Sequence, residues 1–138
     1  MILISKVCAN HGTAALKILV DTNILIDQLR GLPAAILFGK TLPADTAISA
    51  VTVSKLFAGI RSAQQRQRVK DLVESYRIIP FDVGAAELAG DYLQKFRKSH
   101  SLNISDAAIA ATARIHDLNL VTLNLKHFPM FPGLRKPY

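Results

Sequence analysis

Residues Ile18, Leu19 and Val20 form an unbroken apolar run that stops at Asp21, Thr22 and Asn23. Successive side chains of an extended chain point to opposite faces, so a run that is apolar on both faces belongs to a strand covered on both sides. The polar residues that follow start a helix over residues 22–31, with Gly31 closing it. The same order recurs along the chain. "TAISAV" (residues 46–51), "RIIPF" (residues 77–81) and "NLVTL" (residues 119–123) read as three further strands, separated by helical stretches. Strands alternating with helices imply a parallel α/β sheet with helices on both faces.

The intervening segments carry helical periodicity. Val53, Leu56, Phe57 and Ile60 fall on one stripe, with Thr52 and Lys55 on the polar face of that helix. Val69, Leu72, Val73 and Tyr76 repeat at the spacing of an amphipathic helix, and the 62–76 region is a candidate for hydrophobic surface left free for a partner. Asp82 suits the N-cap of a helix running to about Ser99, whose apolar face is Ala85, Leu88, Ala89, Tyr92, Leu93 and Phe96, with Asp91 placed to pair with Lys95. "SDAAIAATARIHD" from Ser105 is an alanine-rich helix able to approach its neighbours closely, and the proline-rich tail "FPMFPGLRKPY" reads as an irregular or edge segment. Residues 1–16 lack periodicity and read as an arm of unassigned role ahead of a single domain at 17–138.

With 138 residues, half of them apolar, the chain can bury one core, and its formal charge of +7 favours encounter with polyanions. The lone Cys8 excludes an internal disulfide or a cysteine zinc cluster and suits a reducing cytosol. "MILIS" is too short for a signal sequence or a membrane span. The expectation is a soluble cytoplasmic protein.

Ligands of open parallel sheets gather beyond the C-terminal ends of the strands, and this tests each carboxylate. Asp21 ends the first strand and passes. Asp45 precedes the second strand and belongs to the opposite edge, and Glu87 and Asp91 lie on a solvated helix face. Asp82 follows the third strand, but helix capping accounts for it. Asp106 opens the helix leading into the fourth strand and comes near the same edge as Asp21, although a first-turn aspartate also serves the helix dipole. Two carboxylates at one edge are half of a hard-cation site, because Mg²⁺ takes one or two carboxylates and fills its shell with water and phosphate oxygens.

In "LVDTNILID", "ISAVTVSKLFAGIR" and "ISDAAIAATARIHDLNLVTLNLKHFPMFPGL" the chain resembles a PIN domain, specifically the VapC-type toxin ribonucleases of toxin–antitoxin pairs. The likeness runs over nearly all of residues 17–134. It implies a three-layer PIN-like fold, a central parallel sheet with helices on both faces, and a Mg²⁺- or Mn²⁺-dependent endoribonuclease. Carried over by position, the family's acidic residues fall on Asp21, Lys55, Asp106 and Asn124, with Asp21 and Asp106 as metal ligands and Lys55 standing where the family has Glu. Thr22 and Asn23 form the polar shell of the first loop. Asn23, Arg61, Arg66, Arg68 and His127 are candidate RNA contacts, with Lys70, Arg135 and Lys136 adding to the basic surface. The resemblance also implies a VapB-like antitoxin and a homodimer.

Replacing Glu by Lys changes the local charge by two units, and three readings follow. A metal-dependent nuclease has lost its activity through Lys55, with fold and antitoxin binding retained; or it keeps weak activity through Asp21 and Asp106; or the chain is a non-catalytic module that binds RNA or antitoxin, with Lys55 on phosphate. An inward ammonium would oppose the metal, whereas an outward one leaves a weaker two-carboxylate site. Other chemistries lack their residues: "LVDTN" has neither the acidic pair of a receiver domain nor Asp-x-Asp, the four histidines form no close pair, and no glycine-rich phosphate loop is present.

Overall fold

The computed structural model describes residues 17–138; the predicted arm at 1–16, with Cys8 and His11, lies outside the described residues. Four strands of three residues each, β1 (Ile18–Val20), β2 (Ala47–Ser49), β3 (Arg77–Ile79) and β4 (Asn119–Val121), make one sheet in the order β3-β2-β1-β4. Every pairing is parallel, with Leu19 opposite both Ala47 and Leu120. Six helices connect or flank them: α1 (Thr22–Leu29), α2 (Pro33–Lys40), α3 (Ala50–Ala58), α4 (Ala63–Glu74), α5 (Val83–His100) and α6 (Ile104–Ile115). A 3₁₀ turn, Leu125–His127, follows β4.

The sheet separates two apolar layers, as the unbroken run at β1 requires. Ile18 and Val20 join Ile24, Leu25, Phe38, Ile48, Leu56, Val69, Val73 and Val121 on one side. Leu19 faces the other side with Ala47, Ile79, Ile109, Ala110, Ala113, Leu120 and Phe128. Helix α6 is buried at every position from Asp106 to Ala113, and its five alanines allow the close approach that longer side chains would block. Thus the parallel α/β architecture with helices on both faces is the one the sequence implies.

Several local expectations are corrected. The strand expected over 46–51 ends at Ser49, whose hydroxyl accepts from the Val51 amide and starts α3 at Ala50. Helix α2 has no counterpart in the strand-and-helix reading, although Pro33 at its first turn is a recognised helix start. Thr52, placed on the polar face, is fully buried, and its hydroxyl lies 2.9 Å from that of Thr22. Helix α4 does not leave an apolar face free: Val69 and Val73 are buried, Leu72 and Tyr76 pack on the core, and the exposed Leu32, Ile36 and Leu37 lie on or beside α2 instead. Lys95 rests over the Phe96 ring, 5.3 Å from its centroid, and the pairing expected with Asp91 is absent.

Candidate active site at the sheet edge

Neighbouring strands β1 and β4 belong to crossovers running to opposite sides, so the sheet's switch point lies between them. Asp21 stands there. Its amide donates to the Val121 carbonyl, its Oδ1 accepts from the Thr22 amide at 2.8 Å as the cap of α1, and its Oδ2 accepts from the Thr122 hydroxyl at 2.6 Å. Each carboxylate oxygen retains a lone pair. Only 3% of Asp21 is exposed, and burial pushes its carboxyl above the ordinary aspartate range. Hydrogen bonds from Thr122 and Thr22 pull it back, Asp106 raises it further and Lys55 lowers it, which puts the three charges in one neighbourhood.

Asp106 arrives from α6. Asn103 caps that helix: its Oδ1 accepts from the Asp106 amide and from the Ser105 hydroxyl, both at 2.8 Å. The Asp106 side chain is 8% exposed, and its Oδ2 is buried without a hydrogen-bond partner. His127 Nδ1 lies 3.1 Å from that oxygen, a charge-pair distance without hydrogen-bond alignment. Both polar atoms of Asn23 are likewise buried without a partner. Buried polar atoms left unpaired call for water or an ion.

Lys55, in the last turn of α3, is exposed, and its ammonium donates to Ser105 Oγ at 3.3 Å. A relay therefore runs from Lys55 through Ser105 to Asn103, beside Asp106. Asn124 sits where β4 leads into the 3₁₀ turn, its backbone N–H donating to Thr122 Oγ1. The arginines disperse. Arg68 donates to the Leu29 carbonyl, Arg66 stacks over Phe57 with its guanidinium carbon 5.0 Å from the ring centroid, and Arg61 is exposed at the α3–α4 connection. Among these three, only Arg68 shares a cavity with Lys55. Thr52, Asn103, Ser105 and Thr122 escaped the sequence reading as site residues. The capping spacing Asn103-x-x-Asp106 was the one visible signal.

These donors fit a divalent cation sparingly. Among the described residues no three His, Cys, Asp or Glu side chains converge on one point. Asp21 and the orphaned Oδ2 of Asp106 supply two hard oxygen ligands, which suits a cation that takes its remaining ligands from water and phosphate.

Fold and site together define a three-layer parallel α/β domain with paired aspartates at its switch point. The family model described as PIN domain matches residues 18–129, and the chain belongs to the PIN-domain family. Ribonuclease VapC10 of Mycobacterium tuberculosis is 42% identical over 124 residues, spanning 88% of this chain and 92% of that protein. The tRNA(fMet)-specific endonuclease VapC of Shigella flexneri is 29% identical, spanning 87% and 96%. A toxin–antitoxin complex from Klebsiella pneumoniae contains a chain of the same fold, with TM-score 0.76 and 35% identity over 88% of this chain and 98% of that one.

Proposed function

We propose that the chain is a VapC-type endoribonuclease, dependent on Mg²⁺ or Mn²⁺, whose activity Lys55 holds down. The observation that carries this reading is the meeting of Asp21 and Asp106 at the switch point, with one oxygen of Asp106 buried and unpartnered. A divalent cation bound there supplies Lewis-acid polarisation of the scissile phosphate and lowers the pKa of water. Asp21 and Asp106 hold it. Thr122 and the Thr22 amide fix the Asp21 carboxylate, while Asn103 fixes the start of α6 and with it Asp106. Asn124 and Asn23 present amides to phosphate or water, and His127 adds a ring nitrogen beside Asp106. Lys55 counts against the cation and in favour of phosphate, because its ammonium repels the first and attracts the second.

The relatives' names support RNA as substrate, and the Klebsiella complex supports a VapB-like antitoxin as partner. A homodimer and a cytoplasmic location complete the proposal; no helix of the described residues is long and apolar enough to cross a membrane. The proposal takes residues 17–138 as the domain and residues 1–16 as an arm; the family match itself covers residues 18–129. The tether from Lys55 to Ser105 favours a second reading, a non-catalytic module holding RNA or antitoxin. Cleavage of structured RNA in Mg²⁺ or Mn²⁺ separates the two. The proposal expects Lys55→Glu to cleave at least about tenfold faster than the unchanged chain, a barrier change of ~1.4 kcal/mol, and Asp21→Asn to abolish cleavage. No gain in Lys55→Glu would leave the non-catalytic module.

A further inference from the structure

Lys55 also faces a cavity of about 330 Å³ between α1, α3 and α4. Arg30, Lys55 and Arg68 supply its charges, no carboxylate lines it, and Leu29 and Ile60 are among its apolar walls. Arg68 is already anchored to the Leu29 carbonyl, so the guanidinium is held at the wall before any ligand arrives. The volume lies at the lower end of the range of about 300–1,000 Å³ for small-molecule sites, a size compatible with one nucleotide. Unpaired RNA bases are bound against apolar or guanidinium faces, with phosphates on cations, and this wall offers both. The cavity adjoins the candidate active site, because the Lys55 that lines it also reaches Ser105, next to Asp106.

We infer that this cavity is a nucleotide subsite: it takes one unstacked ribonucleotide next to the scissile phosphate, and Lys55 holds the phosphate at the junction between cavity and aspartates. The inference rests on the ribonuclease reading and gives it a place where sequence preference arises. Gly59 offers a test that leaves charge alone. It lines the cavity, has an ordinary φ of −88°, and a Cβ there would meet only the Leu56 carbonyl oxygen at 3.7 Å. Gly59→Leu therefore adds bulk to the cavity lining with no clash at the Cβ.

Binding of a short fluorescein-labelled, mixed-sequence oligoribonucleotide is measured by anisotropy in EDTA, where cleavage plays no part. The comparison covers the unchanged chain, Gly59→Leu, Arg68→Gln and, away from the cavity, Lys98→Gln; circular dichroism verifies each fold. The subsite expects Gly59→Leu and Arg68→Gln each to weaken binding by at least about fivefold and Lys98→Gln by less than twofold. Folded Gly59→Leu binding like the unchanged chain overturns the subsite, while cleavage by Lys55→Glu would leave the ribonuclease reading standing. Absence of RNA binding and of cleavage by any variant overturns both. Displacement of the RNA by an acidic, leucine-containing peptide that Gly59→Leu no longer binds, with no effect of Gly59→Leu on RNA, assigns the cavity to a protein segment and overturns the inference.

Discussion

At the scale of single residues, Asp21 shows site chemistry working against stability. Its carboxyl is raised by burial, so the folded chain retains a proton that the unfolded chain releases near pH 4. Stability consequently falls as pH rises from about 4 through the raised native value. Asp21→Asn, measured by urea unfolding without divalent cations, is expected to be more stable than the unchanged chain at pH 7, with the gain shrinking towards pH 4. Equal midpoints at pH 7 would show that the aspartate is comfortably solvated. The Thr22–Thr52 hydroxyl pair works the other way. Thr52→Val leaves the buried Thr22 hydroxyl unpaired and is expected to cost about 1–3 kcal/mol, with part of it recovered in the Thr22→Val/Thr52→Val double variant. A double-mutant cycle in urea checks this.

At the scale of elements, α6 does two jobs that its alanines and its cap divide between them. The alanines seat it between the sheet and α5, and Asn103 fixes its first turn where Asp106 must stand. Asn103→Ala is expected to cost about 1 kcal/mol of stability. The same change releases Ser105, and a titration of Mn²⁺ by calorimetry should show weaker binding; unchanged affinity would mean that Asp106 needs no such support. Much of this was legible in the sequence. Apolar runs gave all four strands, the spacing of Val69, Val73 and Tyr76 gave α4, and the edge rule chose Asp21 and Asp106 over Asp45 and Asp91. Thr52 was misplaced because periodicity sorts residues by polarity, and a buried hydroxyl paired across 30 positions looks polar until its partner is known. Helix α2 was missed because its exposed Leu37 and half-exposed Ile36 blur the apolar stripe. The unpaired oxygen of Asp106 depends on a histidine 21 residues away failing to align, which no local pattern encodes.

At the scale of the whole molecule, the irregular tail returns to the beginning of the fold. The Tyr138 hydroxyl donates to Asp27 Oδ2 at 2.7 Å on α1, and its ring lies 6.0 Å from that of Phe38 on α2. Burial, then the hydrogen bond and charge of Asp27, push the phenol above its ordinary range. The folded chain thus keeps a proton that the unfolded chain loses near pH 10, and stability contributed below that pH is lost as pH rises further. Tyr138→Phe should flatten the alkaline decline in thermal midpoint between about pH 9 and 11. An identical decline in both proteins would assign it to other groups.

The exposure of Lys55 has a consequence for inheritance. The Asp21 carboxylate is held by the Thr22 amide and the Thr122 hydroxyl, and Asp106 is buried at the start of α6, so a change at either falls in the interior. Position 55 lies in solvent and is bound only by the outer contact with Ser105, so the fold accepts either sign of charge there. Lysine and glutamate codons differ by a single nucleotide. A lineage can therefore silence the proposed cleavage at this position while retaining the rest of the molecule intact, and a single reversion can restore it.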